Sequence, residues 1–297
     1  MKIINYIKNI PKYFILGIQC IINGNKRKEF QIENKLIPIT LTTLSLITYL
    51  IAIFILSRWY VQNERIKKFS ESIINDTNQI IKEETEPKET TNYTELKTED
   101  NTDYSSDTSY LHINFDYYKN INNETVAWIK VNGTKVNYPV VKHEDNHFYL
   151  NHDFNQKKSV TGWVYVDYRN SFNELSNNTI LYGHNLINKT MFGSLTYLLK
   201  KDWFKNENNR YIKISTPDYN SIWQIFSVYS IEPTTDYLKT TYNSTEDYIQ
   251  FLNKITKRSK FNFNIQPTYE DKIITLSTCD DTGTKRVVIH AKLYSIE

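Results

Sequence analysis

The stretch Lys272–Leu293, KIITLSTCDDTGTKRVVIHAKL, reads as two strands folded about a polar turn. KIITLS and RVVIHAKL are rich in β-branched and aliphatic residues, whereas DDTGTK is short, polar and carries a glycine, the composition of a strand–turn–strand unit. Cys279 closes the first run and Arg286 opens the second, directly across the turn. A polar rim bearing a thiol and a guanidinium on an otherwise apolar β unit is the feature the rest of the chain has to explain.

Upstream, the same kind of segment recurs. Trp128–Val131 and Lys135–Val141 flank Asn132-Gly133, a pair that favours a tight hairpin turn. Trp163–Asp167, Thr179–Tyr182, Tyr211–Ser215 and Ile222–Ile231 continue the series. Helical patterns interrupt it near Met191–Lys201 and Glu246–Lys257. In the second, Tyr248, Phe251, Leu252 and Ile255 recur at helical spacing behind Ser244, a plausible N-cap. Eight or so short strands with few helices predict a mainly β domain over 111–297, closed or nearly closed as a barrel.

The residues before it are of other kinds. Leu36–Leu56, LIPITLTTLSLITYLIAIFIL, holds no charge and has the length of a transmembrane helix, with Pro38 tolerated in the first turn. Thirty-five residues precede this span, and no small-residue cleavage site follows it, so an anchor is expected rather than a cleaved signal. Lys26, Arg27, Lys28 and Lys35 favour a cytoplasmic arm 1–35, although Arg58, Arg65, Lys67 and Lys68 blunt the asymmetry. Residues 57–110 read as a helical continuation and then an acidic, Thr/Ser-rich stalk with little to bury. The overall charge of +3 is therefore a sum of unlike parts: net +5 over 1–56, −5 over 57–110 and +3 over 111–297. So small an excess argues against nucleic acid as a partner.

Two cysteines, Cys20 and Cys279, exclude a disulfide framework and a Cys-rich zinc site. With Cys20 before the span, Cys279 is the one thiol expected outside the membrane. To act as a nucleophile it needs a base or cation to generate thiolate and a donor for the developing oxyanion. His184 follows Gly183 at the end of the strand TILYG and is the leading base. His112 and His143 lie in polar stretches and should face solvent, and His147 and His152 flank FYLN as structural residues. His290, inside the last strand, competes weakly. A guanidinium does not release its proton near neutral pH, so Arg286 suits oxyanion stabilisation and substrate clamping.

Leu181-Tyr-Gly-His-Asn185 and Thr275-Leu-Ser-Thr-Cys279, with Arg286 further on, resemble the signatures of the sortase family. The resemblance covers about residues 111–297 and is greatest to class B. AWIKVNGTKVNYPVV, YLNHDFN, GWVYVDYRNSF, MFGSL and the 236–258 insertion are similar to segments of that class. It implies an eight-stranded sortase-like barrel and a membrane-anchored cysteine transpeptidase of the thiol-protease type. Cys279 would attack the Thr carbonyl of a C-terminal sorting signal on a secreted protein, and His184 would serve as general acid and base. Arg286 would hold the oxyanion, and Ser277 and Thr278 would line the signal groove. A peptidoglycan amine of a Gram-positive wall would then release the thioacyl enzyme.

Other readings fit less well. An L,D-transpeptidase normally has His-Gly before its Cys and Arg two residues after, where this chain has Ser277-Thr278 and Asp281. A papain-like protease places Cys before His. A non-catalytic tethered binding domain has no need of Cys, His and Arg together, and a pilin-polymerising sortase is the nearest functional variant. Metal-spaced His/Asp/Glu clusters and phosphate-binding glycine loops are missing, so no metal or cofactor is expected. Asp280 and Asp281 pose the remaining question, since adjacent negative charge disfavours a thiolate.

Overall fold

The computed structural model describes residues 43–61, the helical positions 64, 65, 68 and 72, and residues 109–297 without a break. The arm 1–35 with Cys20, the first part of the expected span and the acidic run 83–108 lie outside the described residues. The chain divides between Lys68 and Phe69 into two units. The first contributes helix α1 (Thr43–Val61), 19 residues with none of its apolar window buried. At ~1.5 Å per residue it is about 28 Å long, enough by length and composition to cross a bilayer. It runs past Leu56 through Arg58, Trp59 and Tyr60, residue types that suit a membrane–water interface.

The second unit is a closed barrel of eight strands. After the short helix α2 (Phe115–Ile121) come β1 (Thr125–Val131), β2 (Asn137–Val141), β3 (Tyr165–Val166) and β4 (Asn178–Tyr182). Helix α3 (Lys201–Lys205), β5 (Tyr211–Ser215), β6 (Asn220–Ile231), helix α4 (Thr245–Lys257), β7 (Ile273–Cys279) and β8 (Arg286–Ile296) follow. Around the barrel the order is β1-β2-β3-β4-β7-β8-β6-β5, with β5 pairing back onto β1. Gly133 makes the β1–β2 turn at φ +67°, a conformation that favours glycine. Two contacts, β2–β3 and β4–β7, are parallel. The second joins strands far apart in sequence, and it is the one that builds the site.

The segment expected as a helix at Met191–Lys201 is instead a 3-10 helix, Gly193–Leu199, with α3 beginning only after an extended Lys200. At Gly193, its first residue, a Cβ would stand 2.8 Å from the Leu186 carbonyl, an approach that only glycine allows. Helix α4 follows its pattern. Ser244 caps it by accepting from the Asp247 amide, and Tyr248, Phe251, Leu252 and Ile255 are buried against Phe226, Tyr229, Ile273 and Val288. At about 1.5–3 kcal/mol for each large apolar side chain buried, this face holds the β6–β7 insertion on the outside of the barrel.

Candidate active site

Strand β7 organises the site through its alternation. Ile273, Thr275, Ser277 and Cys279 share the face turned toward the insertion, where Ile273 joins the α4 cluster and Ser277 bonds the Tyr237 hydroxyl at 3.0 Å. Ile274, Leu276 and Thr278 are buried on the opposite face. Ser277 therefore stands on the same side as Cys279, whereas the Thr278 hydroxyl is buried on the opposite face with no hydrogen-bond partner among the described residues. What Thr278 can offer a groove at the rim is backbone.

The strand pairings set Cys279 beside Arg286 and bring the end of β4, distant in sequence, to the same rim. In the antiparallel β7–β8 ladder Cys279 and Arg286 are direct cross-strand partners. In the parallel β4–β7 ladder the last pair is Tyr182 with Ser277, so the chain that leads into His184 leaves the sheet at the same rim at which Cys279 ends β7. Gly183 lets the chain leave the sheet there, because a Cβ would meet the Phe192 ring at 2.7 Å. Cys279 is a free thiol, partly exposed. The Arg286 guanidinium donates to the Lys285 carbonyl at 3.4 Å and has no ion pair among the described residues, which leaves its fork open to a ligand.

His184 is held from behind. Its Nε2 lies 2.8 Å from the Leu150 carbonyl oxygen. A carbonyl only accepts, so Nε2 carries the hydrogen and Nδ1 is the nitrogen left for proton traffic. The ring packs against Gly162, whose φ is +53° and where a Cβ would fall 2.8 Å from His184 Cδ2. Leu150 and Gly162 were not readable as site residues: one acts through its carbonyl, the other through the absence of a side chain.

The paired carboxylates after the thiol are both engaged. Asp280 accepts from the Lys285 amide at 3.2 Å and from the Thr282 hydroxyl, closing its own turn. Asp281 accepts from Asn185 Nδ2 at 2.9 Å and pairs with Lys189, and these contacts hold its carboxyl below the usual carboxylate range. Their charge is thus committed to the turn and to the His184 loop rather than left beside the sulfur.

The other histidines separate cleanly. His290 is fully buried, its Nε2 bonded to the Tyr229 hydroxyl and its Nδ1 to Thr275, both at 2.9 Å. Burial pushes its pKa down to about 3, so it remains neutral and has no free nitrogen for base work. His112 is exposed, as expected, but His143 is half-buried, paired with Glu124 at 2.7 Å and stacked on Phe148. Among the described residues no group of three or more His, Cys, Asp or Glu is arranged to hold a metal ion. Tyr237, from the insertion, escaped the sequence reading; it sits near enough to Arg286 and Cys279 for both to act on its phenol.

The sortase-domain family model matches residues 129–294. The Sortase B of Staphylococcus aureus is 35% identical over 211 residues, covering 70% of this chain and 86% of that protein. The Sortase B of Listeria monocytogenes is 35% identical over 178 residues, covering 58% and 71%. Among solved structures, a Staphylococcus aureus sortase B–substrate complex is 36% identical with a TM-score of 0.57, covering 61% of this chain and 84% of that one.

Proposed function

This chain belongs to the sortase family, in class B, a family of transpeptidases, and from that premise we propose that it is a membrane-tethered cysteine transpeptidase acting on C-terminal sorting signals. The observation that carries the reading is the meeting of two ladders at one barrel rim. β4 ends beside β7 with Tyr182 paired to Ser277, two residues short of His184 and Cys279, and β7–β8 pairs Cys279 with Arg286.

The reaction divides into two acyl transfers. Cys279 gives its thiol proton to His184, its Sγ attacks the carbonyl carbon of a Thr in the signal, and negative charge develops on the carbonyl oxygen. The Arg286 guanidinium, which has no ion pair among the described residues, is the donor for that charge; one such donor is worth about 3–4 kcal/mol of barrier. The tetrahedral intermediate collapses by breaking the C–N bond, and protonated His184 gives its Nδ1 proton to the leaving amine. A peptidoglycan amine then attacks the thioester, His184 takes its proton back, and the C–S bond breaks to leave a new amide on the wall. Binding energy for the signal comes from the Ser277 and Tyr237 side of the rim.

Helix α1 supplies the membrane anchor in this reading, with the arm 1–35 in the cytoplasm and the barrel outside, where the chain would meet secreted proteins and wall precursor.

The test is mass spectrometry of products from a library of Pro-x-Thr-type signal peptides mixed with candidate wall amines. The wild-type chain should yield both the cleaved leaving peptide and the amide adduct. Cys279→Ala should yield neither while keeping its fold, and retained cleavage by that variant would sink the mechanism.

A further inference from the structure

Asp167, just past β3, is a charged residue with no solvent exposure. A buried carboxylate costs several kcal/mol unless it is fully partnered, and this one is. Arg169 approaches it with Nε at 2.8 Å and Nη2 at 2.7 Å and adds its own amide at 3.0 Å. The Tyr182 hydroxyl donates at 2.9 Å and Asn146 Nδ2 at 3.0 Å.

Two of these partners lead to the site. Tyr182 is the last residue of β4, two before His184. Arg169 Nη2 also donates to the Leu238 carbonyl at 3.1 Å, beyond the barrel wall in the β6–β7 insertion. The neighbouring carbonyls are taken as well: Asn178 Nδ2 donates to Lys239 O at 2.9 Å and to Tyr237 O at 3.4 Å. Asn178 is itself oriented by the Thr275 hydroxyl at 2.6 Å. Three consecutive carbonyls, 237 to 239, thus hang on β4 and the β3–β4 connection. The side chain at the head of this run, Tyr237, reaches Ser277 on the Cys279 face of β7.

We propose that Arg169, fixed on Asp167, is a positioning residue for the signal-binding side of the site. Through the Leu238 carbonyl it sets where Tyr237 and Leu238 stand against Ser277, while the same carboxylate steadies the end of β4. The proposal deepens the transpeptidase reading and rests on it for its kinetic consequence. It predicts that losing the tether weakens engagement of the signal peptide without touching the chemistry of the thiol.

Arg169→Lys tests this in the full-length chain in detergent, because lysine keeps a cation beside Asp167 but cannot grip it by two nitrogens and reach Leu238 as well. Signal-peptide KM should rise about tenfold with kcat within about twofold. The rate at which iodoacetamide alkylates Cys279 should match wild type. Amide hydrogen exchange should quicken over residues 236–242 and not over 280–285. Asn146→Ala, which removes another Asp167 partner and the acceptor of the Tyr168 amide but no bond made by Arg169 or Leu238, should leave KM and the exchange of 236–242 as they are. A fall in kcat at constant KM, an unchanged 236–242 segment in Arg169→Lys, or an equal KM rise in Asn146→Ala would each overturn the proposal. If wild-type protein turns over no signal peptide at all, the transpeptidase reading fails, and the exchange comparison still decides whether Arg169 fixes the segment.

Discussion

Asn185 and Asp281 are hydrogen-bonded at 2.9 Å, which ties the residue immediately after His184 to the residue second after Cys279. Lys189, later in the same His184 loop, pairs with the same carboxylate. Two loops that leave the barrel from different strands are therefore latched over the rim by one acidic side chain. The acid that looked like a liability beside a thiol is the closure of the site.

The latch predicts a separation of activity from stability. The Asp281 side chain is 61% exposed, so its pair contributes little to the fold. Asp281→Ala should leave the melting temperature within a few degrees while lowering kcat/KM about tenfold, as the His184 loop loses its tie. Asp281→Asn keeps an oxygen for Asn185 and should recover most of the loss. Wild-type kinetics in Asp281→Ala would show that the loops hold without the latch.

Gly162 and Gly283 both have positive φ, +53° and +74°, but only one has neighbours. A Cβ on Gly162 would fall 2.4 Å from the Tyr149 carbonyl and 2.8 Å from the His184 ring, whereas on Gly283 it meets nothing within 4 Å. Gly283→Ala should cost only the backbone strain of about 1–2 kcal/mol and leave kcat alone. Gly162→Ala should cost more in stability and lower kcat on the order of a hundredfold, because His184 must move off the Leu150 carbonyl. The check is a paired measurement of denaturant midpoint and kcat; equal kinetic effects in the two variants would remove Gly162 from the support of His184.

Much of this was legible in the residues. The alternation of KIITLS and RVVIHAKL places Cys279 and Arg286 as neighbours, and the periodicity of Tyr248, Phe251, Leu252 and Ile255 places α4, since both depend on local pattern. The parallel β4–β7 contact was not readable, because parallel strands declare no partner through a turn. Without it, the association of His184 with the Cys279 end of β7 rested on motif resemblance alone. Leu150, acting through a carbonyl, and the Asp167–Arg169–Leu238 tether have no sequence signal, since any residue supplies a carbonyl. Met191–Lys201 misled because apolar spacing over so few residues suits an α-helix and a 3-10 helix alike.

His290 predicts how the fold responds to mild acid. In the unfolded chain its imidazole takes a proton below about 6.5, whereas burial holds it neutral in the fold down to about 3. Between these values the unfolded state binds more protons, so stability is full above 6.5 and falls as pH drops. The depressed carboxylates Asp167, Asp236 and Asp271 lose their contribution only lower, as pH falls through 3.8 and below. The interval from pH 6 to 5 lies above the loss from these carboxylates, and His290 contributes to it an expected slope of up to ~1.4 kcal/mol per pH unit in the unfolding free energy. His290→Gln, able to donate to Thr275 and accept from Tyr229, should flatten that interval; an unchanged slope would assign it to another group.

Arg286 should be dispensable for the fold and indispensable for the acyl transfer. Among the described residues its guanidinium has one hydrogen bond, to the adjacent Lys285 carbonyl, so Arg286→Ala breaks no buried ion pair, and the thermal midpoint should stay within a few degrees of wild type. The rate of thioacyl formation with a signal peptide should nonetheless fall on the order of a hundred- to a thousandfold, the loss expected for one oxyanion donor. Arg286→Lys retains the charge without the planar fork and should recover only part of it. Trapping of the thioacyl enzyme at successive times by intact-protein mass spectrometry reads this step apart from its release. A variant that forms the thioester at the wild-type rate but releases it slowly would move Arg286 from the first half of the reaction to the second.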